Sequence, residues 1–127
     1  MGIVREMLLK AIEIGCKAYM VEGHNSFGYI VTPNGNVLGV NKATWGTGVN
    51  FCLEYNPDQK TGRGCSCHAS TEEWDFGIRN LDAKTLNKLE KEGLKYAHQL
   101  KAKLYKNPEE WMESTYWNGR GLRQISA

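Results

Sequence analysis

The sequence predicts an α+β domain built as an N-terminal helix, a three-stranded antiparallel meander, then a long helix and a short C-terminal helix. Two patterns carry this expectation. Apolar residues recur at three- and four-residue steps near the N-terminus and again after residue 82, which is the period of an amphipathic helix. Between them, YIVTPNGNVLGV sets two short apolar runs on either side of a PNGN turn, the strongest hairpin signal in the chain. At 127 residues and 14.3 kDa, one domain over residues 1–117 is expected, with 118–127 as an irregular C-terminal tail.

In the first helix, Val4, Met7, Leu8, Ala11, Gly15, Ala18 and Tyr19 make the apolar stripe, and Glu6, Lys10, Glu13 and Lys17 fall on the other side, which places it from Gly2 to about Val21. GHNSFG, residues 23–28, breaks it, and the hairpin follows. After TWGTG, the run VNFCLEY alternates Phe51, Leu53 and Tyr55 with Cys52 and Glu54, as a third strand with one apolar face and one face of thiol and carboxylate. NPDQKTGRG reads as a loop, and Ser70 with Glu73 forms a capping box before a helical turn around Trp74. Asp82 caps a long helix to about Lys106, whose core stripe is Leu86, Leu89, Gly93, Ala97, Leu100 and Leu104. Asn107, Pro108 and Glu110 start the last short helix, since Asn caps and Pro suits the first helical position. WNGRGLRQISA has no period.

Composition excludes several functions. Arg5, Glu6, Lys10, Glu13 and Lys17 interrupt the N-terminal apolar residues too often for a signal peptide or a spanning helix. Glu6 stands where a myristoylation signal wants Ser or Thr, and QISA is no prenylation box. The expected location is therefore cytoplasmic, with the four cysteines reduced. A net charge of +2 does not predict a nucleic-acid partner, so any electrostatic argument rests on how charge is arranged.

GRGCSCH, residues 62–68, holds the densest chemistry. A zinc site would use Cys65, Cys67, His68 and, from the third strand, Cys52, the ligand types zinc prefers. One residue rather than two separates the cysteines and the histidine is adjacent, which fits a structural turn better, so no metal or other cofactor is assigned. Arg63 would favour a thiolate at Cys65 or Cys67 but cannot act as a base, and neither His24 nor His98 lies in a catalytic context, so no catalytic residue is assigned. The two GRG segments, at 62–64 and 119–121, lack the strand-loop-helix setting and lysine of a phosphate loop. Glu72, Glu73, Glu109 and Glu110 read as acids that complement helix dipoles.

Lys84, Lys88, Lys91 and Lys95 lie at steps of four, three and four, opposite the leucine stripe, as a basic ridge flanked and blunted by Glu90 and Glu92. Trp74 and Trp111 are expected to staple helices to the sheet, whereas Trp45 sits in a glycine loop and Trp117 at the edge of the tail, where an aromatic can anchor a partner.

The order helix, three antiparallel strands, helix resembles the double-stranded-RNA-binding domain in topology. That family clusters lysines at the start of its final helix, and LDAKTLNK does not, so no RNA-contact residue is carried over. In style, with FCLEYNPDQKTGRGCSC as its most distinctive segment, the chain resembles small bacteriophage and mobile-element proteins that bind and block a host or defence protein, the anti-CRISPR type among them. That resemblance implies a non-enzymatic inhibitor acting by direct contact in a host cytoplasm. The contact surface expected from the residues is Trp45, Lys60, Arg63, Lys84, Lys88, Lys91, Lys95 and Arg120. The partner expected first is a protein, a second copy of the chain included. Nucleic acid bound along the lysine ridge is the alternative, and a zinc-stabilised module follows it.

Overall fold

The computed structural model describes residues 2–43, 47–55 and 77–127. Helix α1 (Ile3–Glu13) is followed by strands β1 (Lys17–Val21), β2 (Phe27–Val31), β3 (Val37–Lys42) and β4 (Val49–Leu53), then by α2 (Ala83–Gln99), α3 (Pro108–Ser114) and β5 (Leu122–Ile125). The fold is α+β with a five-stranded sheet in the order β4-β3-β2-β1-β5, antiparallel throughout.

The expected meander is present as β2, β3 and β4, and the sequence reading is corrected on both sides of it. The first helix stops eight residues early. Gly15 adopts φ +101°, the Gly15 amide donates to Ile12 O at 3.1 Å and the Cys16 amide to Ala11 O at 2.9 Å, which closes the helix in a left-handed cap. Residues Lys17–Val21, read as the last turns of that helix, extend instead and pair with β2 in the register Lys17↔Val31 to Met20↔Gly28. The tail is not irregular over Leu122–Ile125, because β5 pairs with β1 from Ala18↔Ile125 to Val21↔Leu122.

Alternation along the strands gives the sheet two apolar faces. Ala18, Ile30, Leu38, Val40, Val49, Phe51 and Leu53 face Val4, Met7, Leu8 and Ala11 of α1 and Leu86, Leu89 and Ala97 of α2. On the other face Tyr19, Val31 and Val37 pack against Trp111 of α3, with Tyr29, Tyr105, Met112 and Leu122 around them. The molecule is thus layered, helices on both sides of one sheet. Trp111 is 2% exposed and staples α3 to the sheet as expected. The face of β4 expected to be polar is also covered, for Asn50 and Cys52 are both buried.

Helix α2 begins as expected, with the Asp82 carboxylate accepting from the Thr85 amide at 2.7 Å, but ends at Gln99 rather than Lys106. Lys101 takes φ +54°, and the Lys101 and Ala102 amides donate to His98 O and Ala97 O at 3.0 and 2.9 Å, so a lysine occupies the place that glycine usually fills. Asn107 caps α3 through an acceptor contact with the Glu110 amide at 2.9 Å. Upstream of α2, Ile78 bridges back to Val49, each amide donating to the other's carbonyl. Gly48 and Gly77 make this approach possible, since a Cβ on Gly48 would stand 2.5 Å from Ile78 O and one on Gly77 2.7 Å from the Ala43 Cβ.

A buried carboxylate joins the two halves of the fold. Glu90 of α2, 4% exposed, reaches the β2–β3 turn and accepts from the Thr32 hydroxyl, from Asn34 Nδ2 at 2.9 Å and from Asn36 Nδ2 at 2.8 Å. The expectation that Glu90 blunts the lysine ridge is therefore corrected: its charge points into the protein. Burial, and the nearby Glu90 charge after it, push the Cys16 thiol up to about 11.

Candidate binding surface

On the sheet face that carries α3, residues of even spacing in β2 bring Phe27 and Tyr29 to the same side. The segment after α3 returns over them. Trp117 lies 5.3 Å from Phe27 and 5.0 Å from His24, ring centre to ring centre, and Phe27 meets Tyr29 edge-on at 6.2 Å. Tyr29 in turn lies 4.9 Å from Trp111, which meets Tyr19 edge-on at 6.1 Å. The rings form an unbroken series from the core at Tyr19 and Trp111, through Tyr29, Phe27 and Trp117, to Tyr116 at the surface.

Tyr116 ends this series. Its ring meets that of Trp117 edge-on at 4.9 Å and is 66% exposed. The Arg120 guanidinium sits over the Tyr116 ring, 4.4 Å from its centre, and Arg120 Nη1 donates to Tyr116 O at 2.7 Å. The turn that makes this contact is set by backbone bonds from Asn118 N to Thr115 O at 3.1 Å and from Arg120 N to Trp117 O at 2.9 Å. The strand that follows, β5, ties the segment down through Arg123, which pairs with Glu22 at 2.7 Å.

Beside the aromatic series the sheet has a shallow place at Gly39. A Cβ there would stand 3.3 Å from Cys52 Sγ and 3.7 Å from Glu54 Oε1, so the thiol of β4 and the carboxylate of the residue that follows the strand lie over the glycine. Burial first, and then the charge of Glu54, push the Tyr29 phenol up to about 12. Burial raises Tyr105 as well.

Of the residues singled out in the sequence, Trp117 and Arg120 lie on this surface. Lys84, Lys88, Lys91 and Lys95 are all exposed on α2, which packs on the opposite face of the sheet, and they do not join Arg120 in one site. Trp45, Lys60 and Arg63 lie outside the described residues, as do Cys65, Cys67, His68 and the helical turn around Trp74. Cys52 is buried, and among the described residues no three His, Cys, Asp or Glu side chains come together as a metal site. No helix of the described residues is long and apolar enough to cross a membrane. Phe27, Tyr29 and Tyr116 were not marked as site residues in the sequence, His24 was weighed only as a catalytic residue, and Phe27 fell in the break at residues 23–28 that β2 in fact enters. Comparison of the chain with protein-family models, with curated proteins and with solved structures returns no match.

Proposed function

We propose that the chain is a binding protein that acts by direct contact with a protein partner, through the surface formed by Tyr116, Trp117 and Arg120. The exposure of Tyr116, 66% with the Arg120 guanidinium over its ring, supports this reading most directly. Tyr, Trp and Arg carry most of the binding energy at protein interfaces because they present large contact area together with a polar end. Here Trp117 is already packed against Phe27 and His24, and Tyr116 against Trp117 and Arg120, so a partner meets side chains that lose little further freedom on binding. The chemistry that fits is an apolar side chain set against Tyr116 and Trp117, with a carboxylate for the remaining N–H groups of Arg120. Blocking a host or defence protein in a host cytoplasm, the role implied by the resemblance to anti-CRISPR-type phage proteins, is one form of such contact and gives the first partners to try.

Affinity capture from cells that express the chain tests this, with Tyr116→Ala and Arg120→Ala as the comparison. A protein retained in fixed ratio by the native chain and lost from both variants supports the proposal. Retention unchanged in both variants, or no retained protein, contradicts it.

A further inference from the structure

We infer that the solvent face of α2 is a second, separate site, one that binds the phosphate backbone of a nucleic-acid duplex without reading its sequence. Lys84, Lys88, Lys91 and Lys95 are exposed on a helix whose opposite side, through Leu86, Leu89, Gly93 and Ala97, is built into the core. At 3.6 residues per turn and 1.5 Å per residue, they span an arc of ~60° and a length of ~16 Å. They form one straight row of charge.

Charge in the chain is segregated toward this row. Residues 82–106 hold seven lysines against three acids, while the rest of the chain has two more acids than bases. Of the three acids, Glu90 is buried under the hairpin turn and Asp82 is bound to the Thr85 amide at the helix start. Among the described residues no carboxylate lies within ion-pair distance of the four lysines, and Lys101, Lys103 and Lys106 are exposed just beyond the helix. The Glu90 contacts to Asn34 and Asn36 hold the helix on the hairpin, so the row sits on a rigid support.

The partner follows from the residue type. Duplex nucleic acid carries about one negative charge per 1.7 Å of axis, about nine over a ~16 Å row, so each of the four ammonium groups meets a phosphate to neutralise. Lysine is a compact point charge suited to phosphate rather than to planar bidentate recognition, and between Lys84 and Lys95 the row carries no aromatic side chain on which an unpaired base could stack, His98 standing at its far end. Those two features favour a paired backbone over single strands.

Fluorescence anisotropy with a labelled duplex DNA of mixed sequence, at salt from 50 to 200 mM, tests the inference, with poly-glutamate as competitor. Four phosphate contacts give a salt slope of about −3.6, a loss of affinity of about 150-fold across that range. Replacing all four lysines by Gln should remove binding, replacing all four by Arg should keep it, and each single Lys→Gln change should reduce the slope by about 0.9. The Tyr116→Ala variant should bind the duplex as the native chain does, which separates this site from the aromatic one. No binding at 50 mM salt overturns the inference, and so does an affinity indifferent to the four Gln substitutions. Competition by poly-glutamate equal to that of DNA, charge for charge, would overturn it in favour of an acidic polypeptide. The single substitutions keep the test decisive if the fourfold variant does not fold.

Discussion

The carboxylate of Glu90 on α2 accepts a hydrogen bond from Asn36 Nδ2 at 2.8 Å, across 54 positions of sequence and from the far side of the β2–β3 turn. With Asn34 and Thr32 on the same carboxylate, the turn and the long helix are held as one unit. A buried charge is tolerable only when such donors surround it.

Removing that carboxylate should therefore be costly. Glu90→Ala leaves the buried Thr32 hydroxyl and the less buried Asn34 and Asn36 amides without their acceptor, and a loss of about 2–4 kcal/mol is expected. Glu90→Gln keeps one acceptor oxygen and should cost less. Urea denaturation of the three proteins checks the order, with unchanged midpoints as the contrary result.

Lys101 should be a site of easy stabilisation. Its φ of +54° places a branched-free but Cβ-bearing residue where glycine is relaxed, so Lys101→Gly should raise stability by up to about 1 kcal/mol. At this chain length that corresponds to a few degrees in thermal midpoint, read by calorimetry. A lower midpoint would contradict the account of how α2 ends.

The close approach of Gly48 and Gly77 predicts the opposite sign. Alanine at either position drives a Cβ into backbone or into Ala43, and at Gly77 it also meets φ +81°. Each variant should lose about 2 kcal/mol or more, since neither backbone can yield without breaking the Val49–Ile78 bridge. Equal stability of Gly48→Ala and the native chain would refute the packing at this crossing.

Tyr29 gives a pH dependence of known sign. Its phenol titrates near 12 in the folded protein against 10 for the free group, so the folded state keeps a proton that the unfolded state releases. The stabilisation is fully present below pH 10 and is lost as pH rises from 10 through 12. A Tyr29→Phe variant should lack that component, which the difference between the two stability profiles over this range would reveal.

How far the sequence led can be judged from these residues. Capping and turn chemistry are local, so Asp82, Asn107 and the PNGN hairpin stood where the sequence put them. The first helix was overrun because Gly15 fits a small place on an apolar stripe as well as it fits a cap, and the cap wins once Lys17–Val21 can pair with β2. Lys101 gives no stop signal, because only its backbone conformation ends the helix. Strand β5 is legible only through its partner β1, about a hundred residues earlier. Glu90 lies four residues after Leu86 and three before Gly93, so its position on the buried stripe was readable, but its charge argued for the surface. The aromatic series needed the fold to bring Trp117 to Phe27, and no local spacing links them.

Site-specific photo-crosslinking tests the central claim most directly. A photoreactive phenylalanine analogue is placed at position 116 in one variant, and at position 6 or 13, both exposed on α1 on the sheet face opposite the aromatic series, in others. In cells that express the chain, the account predicts one protein adduct of defined mass from position 116 and none from the others, and the adduct should fall at least about 30-fold in yield-derived affinity when Arg120→Ala is added. The same adducts from every position, or none from position 116, would contradict it.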